Sequence, residues 1–195
     1  MKRILLTLTT LMLTMPAAFA ESPNLIIEEA AELLAASLDG RKEELAADRD
    51  ALHELINGIL LPRFDRRYSA QLVLGRHWRT ASNDQRQRFI DAFYNALLQR
   101  YADGVLEYDQ DRVEILPFRG DASKPRTMVR SIVTLNDGSK VPVNYGLVKR
   151  ENGWLLFDVT IEGVSYIRNF RAELDSEIRS TSLAAVIERL ESEAT

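Results

Sequence analysis

Along residues 22–108 the apolar positions repeat at three- and four-residue intervals, the period of helices with one buried face. Ser22 and Pro23 can open a first helix, Ile26, Ile27, Ala30, Leu33, Leu34 and Leu38 give it a stripe, and Gly40 ends it. A second helix runs from about Asp50 to Leu61 and closes at Pro62, and a third, capped by Asp65, reaches Gly75 with Tyr68, Leu72 and Val73 apolar. Ser82-Asn83-Asp84-Gln85 has capping-box spacing. Behind it Phe89, Phe93, Leu97, Tyr101 and Val105 recur every four residues, joined by Ile90, Tyr94 and Leu98, which predicts a long amphipathic helix.

Between Arg112 and Val164 the period becomes two. Val113 to Leu116 is a short strand, and Thr127 to Leu135 a second with Val129, Val133 and Leu135 on one face. After the Asn136-Asp137-Gly138 turn, a third strand over Lys140 to Lys149 sets Val141, Val143, Tyr145 and Leu147 against Pro142, Asn144 and Gly146. Beyond Glu151-Asn152-Gly153, the fourth, Trp154 to Ile161, alternates Leu155, Phe157, Val159 and Ile161 against Trp154, Leu156, Asp158 and Thr160. From Ile167 the helical period returns, with Phe170, Leu174 and Ile178, then a cap at Ser182 before Leu183, Val186, Ile187 and Leu190. The fold class is α+β, helices packed on a twisted, mostly antiparallel four-stranded sheet in a cone-like arrangement.

Residues 1–20 follow neither pattern. Lys2 and Arg3, an apolar run from Ile4 to Met15 and Ala18-Phe19-Ala20 have the layout of a cleaved signal peptide, and the run is too short to span a bilayer. Residues 21–195 then form one domain: helical over 22–108, sheet over 112–164 and helical again over 167–192. No cysteine follows the cleavage site, so the expectation is a soluble periplasmic protein without a lipid anchor. Losing Lys2 and Arg3 lowers the basic count from 25 to 23 against 29 acidic side chains and moves the formal charge from −4 to −6. That balance disfavours nucleic acid as a partner.

The 195 residues contain no cysteine and two histidines, His53 and His77, far apart and in no ligand-pair spacing. Disulfide scaffolds, thiol nucleophiles and thiolate metal centres are excluded, and a histidine metal centre is disfavoured. No G-x-S-x-G, Walker loop or G-x-G-x-x-G is present. Asp158 is the one acid inside an apolar strand. It reads either as a general base of raised pKa or as a hydrogen-bonded strand residue, and alternation favours the second. The long helix and the sheet can collapse on one another or enclose an apolar hollow, and periodicity does not choose between these.

Three segments carry a resemblance. Leu60-Leu61-Pro62-Arg63-Phe64-Asp65 is similar to Leu-Pro-x-Phe-Asp-Phe, with Arg66 where an aromatic is frequent. Val73-Leu74-Gly75-Arg76-His77-Trp78-Arg79 is similar to V-L-G-x-x-W-[RK], followed by Gln85-Arg86 and the aromatic stripe. Gly153 to Ser165 is similar to G-W-x-x-[YF]-D-[VM]-x-x-E-G-[VI]-S. Together they resemble the MlaC, or toluene-tolerance, family of periplasmic phospholipid carriers over essentially the whole chain after residue 20.

The resemblance implies a lipid cavity between sheet and helices and a shuttle of glycerophospholipid between an outer-membrane lipoprotein complex and an inner-membrane ABC transporter, both of the Mla type. It implies no cofactor, no metal and no catalysis. Two acyl chains of roughly 30 methylenes, at about 0.8 kcal/mol each, cost on the order of 24 kcal/mol to expose to water, so the cavity is expected near roughly 1,000 Å³. On family pattern and residue type, the acyl-chain contacts are Phe93, Leu97, Tyr101 and Val105 of the long helix with Val129, Val133, Val143, Tyr145, Leu147, Val159, Ile161 and Val164 of the sheet and its exit. Arg76, Arg79, Arg168 and Arg171 are candidates for docking acidic partner surfaces. An enzyme using Asp158 and a chaperone for hydrophobic chains remain the competing classes.

Overall fold

The computed structural model describes residues 22–193, so the signal-peptide pattern lies outside the described residues. Pro23 sits in the first turn of helix α1 (Pro23–Leu38), where its missing N–H is no loss. Two short helices follow, α2 (Lys42–Ala47) and α3 (Arg49–Leu60), the latter capped by the Asp48 carboxylate accepting from the Ala51 N–H. The periodicity gives α3 but not α2, whose single buried residue, Leu45, is too little to show a stripe.

A 3-10 turn at Leu61–Arg63 leads through Phe64 into α4 (Arg66–Leu74), capped by Asp65. Gly75 ends α4 at φ +52°, a backbone region open to glycine, and the Arg171 guanidinium lies against its Cα. After the one-turn α5 (His77–Thr80), the expected Ser82/Gln85 capping box opens α6 (Asn83–Leu106), the longest helix.

The sheet has five strands rather than four, antiparallel throughout in the order β1-β2-β3-β4-β5: Val113–Ile115, Arg126–Thr134, Lys140–Arg150, Gly153–Ile161 and Val164–Ser165. The fifth is two residues long, below the reach of any period-two pattern. It turns the chain back along β4 through Glu162 and Gly163, both at positive φ, and hands it to α7 (Tyr166–Ser180), followed by α8 (Leu183–Glu193).

The face assignment of β4 is corrected by a bulge. Leu147 pairs with Leu156 while Gly146 pairs with Asp158, so Phe157 is an extra residue and alternation breaks there. Trp154 and Leu156 therefore share a face with Val159 and Ile161, while Leu155 lies on the other. Gly146 leaves room for the displaced ring, because a Cβ there would stand 3.1 Å from the Phe157 ring.

Three apolar clusters result. The largest joins α4, α5, α6, α7 and α8 around Phe89, Phe93, Phe170 and Ile187. A second joins α1, α2, α3 and the end of α6 around Leu38, Leu45, Leu52 and Ala102. The third lies where α1 crosses the sheet, with Ile27 packed on Val129, Leu147 and Trp154.

Candidate functional site

Between these clusters α6 does not close fully on the sheet. A hollow of about 410 Å³ remains, bounded by α3, Phe64, α6, β4 and the start of α7. From α6 come Phe93, Leu97, Tyr101 and Val105, and from β4 come Val159 and Ile161. These six are half of the twelve residues singled out from the sequence. The other walls are Ile56 and Leu60 of α3, Phe64, Leu156 and Phe157, and Tyr166, Ile167 and Phe170 of α7. The α3 residues lie on an ordinary amphipathic stripe, which gives no sign of whether it faces core or hollow.

The other six candidates lie elsewhere. Val129 and Leu147 are 1% and 0% exposed beneath α1, and Tyr145 packs against the same cluster. Val143 is buried beside Ser131, whose hydroxyl donates to the Val143 carbonyl at 3.0 Å. Val133 is half-buried opposite Val113 and Val141, and Val164 is 59% exposed on β5. Cross-strand partners share a face, so Val143 beside Ile161 and Tyr145 beside Val159 lie on the side of the sheet that the hollow occupies. Alternation gives that face but not which helix covers it: α1 takes the stretch around Val129 and Leu147, and α6 stands over β4. The hollow is accordingly less than half the expected volume.

Most polar groups at the hollow are occupied. The Tyr94 hydroxyl donates to Asn57 Oδ1 at 2.8 Å. Asp158 borders the hollow, but its carboxylate accepts from Ser165 Oγ at 2.6 Å and from the Ile167 N–H at 3.1 Å, while Ser165 Oγ in turn accepts from the Arg168 N–H at 3.1 Å. Asp158 thus fastens the first turn of α7 to β4, the hydrogen-bonded alternative of the two readings. Tyr101, 40% exposed, stands edge-on to Tyr166 with ring centroids 5.4 Å apart. Burial pushes the Tyr101 phenol up, Tyr166 adds to this and Arg100 opposes it. Among the described residues no three acidic or histidine side chains converge on a metal-sized site, and no helix is long and apolar enough to cross a membrane.

The four candidate docking arginines gather around the α4–α5 corner and the neighbouring face of α7. Arg76 is held by Asp175 at 2.8 Å. Arg79, Arg168 and Arg171 are exposed, with no carboxylate partner among the described residues, and Arg171 rests on Gly75.

A family model described as MlaC protein matches residues 28–192. Toluene tolerance protein ttg2D of Pseudomonas putida is 29% identical over 153 residues, covering 78% of this chain and 71% of the relative. The intermembrane phospholipid transport system binding protein MlaC of Haemophilus influenzae is 24% identical over 166 residues, covering 83% and 77%. The structure of a phospholipid-binding protein from Ralstonia solanacearum in complex with a phospholipid superposes with a TM-score of 0.77 at 24% identity, covering 87% of this chain and 95% of that one, which makes the fold a shared one.

Proposed function

The chain belongs to the MlaC family, and from that membership we propose that it is a soluble periplasmic carrier of glycerophospholipid, exported by its first twenty residues and moving lipid between an outer-membrane complex and an inner-membrane ABC transporter. The observation that carries this reading is the 410 Å³ hollow with walls of aliphatic and aromatic side chains. A 150 Å³ cavity accommodates six-carbon benzene, so on volume alone this hollow holds about 16 carbons, one acyl chain of a diacyl lipid. The second chain needs further parting of α6 from the sheet. The relatives' names, phospholipid transport and toluene tolerance, agree with such cargo.

The carrier performs no covalent step in this reading, since Asp158, the acid at the hollow, is engaged by Ser165 and the start of α7. Arg76, Arg79, Arg168 and Arg171 offer a basic face to acidic surfaces of the membrane complexes, which raises encounter rates. Release follows from a partner that favours the opened state.

Native mass spectrometry of the protein from a periplasmic extract, followed by denaturing lipid extraction, tests the reading. The expected mass is the mature chain plus one phospholipid. Leu97→Trp places a larger apolar ring in the hollow and should fold, by thermal melting, while carrying little lipid. Wild-type protein free of lipid, where control lipid complexes survive, would refute the carrier.

A further inference from the structure

Cargo with an anionic headgroup raises the question of what meets its charge at the opening of the hollow. Among the residues that line the hollow, Leu60 at the end of α3 and Tyr101 and Gly104 of α6 are exposed, and at the α6 lip Tyr166 stands edge-on to Tyr101. Arg100, the residue before Tyr101, lines a small crevice that shares Phe93, Leu97 and Phe170 with the hollow. Its guanidinium carbon lies 5.5 Å from the centroid of the Phe170 ring, whose side chain also lines the hollow, so a cation is seated on the wall itself.

The neighbouring arginines are neutralised more closely. Arg66, over the wall residue Tyr94, is bonded to Asp91 at 3.2 Å, and Arg49 holds Asp103 at 2.7 Å. Arg100 has its ion-pair partner, Glu193, at 3.9 Å, and that carboxylate is held at 2.5 Å by Arg189. Glu173 lines the same small crevice as Arg100 and Arg189. The guanidinium therefore keeps donors for a further anion, with the Tyr101 and Tyr166 phenols beside it.

We infer that Arg100, flanked by Tyr101 and Tyr166, receives the phosphodiester of the bound lipid at the mouth of the hollow. The inference rests on the carrier reading and adds to it a source of selectivity: apolar walls accept any acyl chain, whereas a planar cation at the lip favours a phosphate-bearing lipid over an uncharged one. Arg100 is 43% exposed and stands near two carboxylates, so the preference is modest, about tenfold.

The test uses delipidated mature protein and two probes with the same acyl chains, dioleoyl phosphatidylglycerol and dioleoylglycerol, with affinities measured for wild type, Arg100→Gln and the pair Tyr101→Phe with Tyr166→Phe. Wild type should bind the phospholipid about tenfold more tightly, and Arg100→Gln should remove that preference by weakening phospholipid binding alone. The paired tyrosine variant should reduce it in part. Equal weakening of both lipids by Arg100→Gln would make Arg100 a packing residue over Phe170, and no change would remove it from the site; either overturns the inference. Inorganic phosphate that binds wild type but not Arg100→Gln, without discrimination between the lipids, would reassign the site to free anions. Wild-type binding of neither lipid would overturn the carrier reading and the inference together, whereas equal wild-type affinity for both lipids would leave the carrier standing and sink the phosphate site alone.

Discussion

Asp175 collects three basic side chains: His77 Nε2 at 2.7 Å, Arg76 at 2.8 Å and Arg179 at 3.3 Å. The hydrogen bond from His77, then the charges of Arg76 and Arg179, hold its carboxyl below the ordinary aspartate value. A depressed folded-state value contributes stability that is complete above the ordinary carboxylate range and disappears as pH falls through the lower folded value. Asp175→Asn should therefore lower the melting temperature at neutral pH and flatten the loss of stability between about pH 4 and pH 2. Melting curves across that range check it, and an unchanged acid limb would show that the cluster contributes nothing. Of the two arginines on Asp175, Arg76 was readable as a docking candidate, but not this pairing, because Arg76 and Asp175 are brought together only by packing of α4 on α7.

At the scale of elements, the connection from β4 to α7 carries the most specific motif of the sequence, and its chemistry is structural. Glu162 and Gly163 reverse the chain at positive φ, Ser165 caps α7, and Asp158 reaches across to the Ile167 N–H. Asp158→Asn keeps one acceptor oxygen but loses the charge at the helix start, which should cost about 1–2 kcal/mol. For a chain of this size that is roughly 2–8 °C in Tm, with lipid occupancy unchanged. Occupancy lost at an intact Tm would instead return Asp158 to the site. Helices with several buried turns, α1, α3, α4, α6, α7 and α8, and the four longer strands were legible from periodicity and caps. The bulge was not: Phe157 continues the alternation of β4 on paper, and only pairing with Gly146 and Leu147 shows the slip. Two-residue β5 and one-turn α5 are too short for a period to exist.

For the whole molecule, the sequence supplied the two surfaces that face one another and left open whether they meet. Phe93, Leu97, Tyr101, Val105, Val159 and Ile161 stand at the separation, whereas Val129 and Leu147, identical in pattern, are sealed beneath α1. That division depends on where α1 crosses the sheet, a long-range placement that no local pattern encodes. The contribution of α3 is of the same kind: Ile56 belongs to the second cluster and, with Leu60, also borders the hollow.

A hollow of 410 Å³ that offers water few hydrogen-bonding partners also makes the fold bulky for its mass. Hydrostatic pressure favours the state of smaller volume, and the volume released on unfolding scales with the internal space abolished, ordinarily roughly 20–100 mL/mol. Delipidated protein should consequently unfold under compression more readily than its heat stability suggests, as followed by the fluorescence of Trp78 and Trp154. Cargo that occupies the space should raise the midpoint pressure. So should Leu97→Trp, which fills part of the hollow with its own indole; the same midpoint in the variant and the delipidated wild type would mean that water already fills the interior. Mechanical softness under compression is thus the physical counterpart of being able to accept and surrender a hydrocarbon chain.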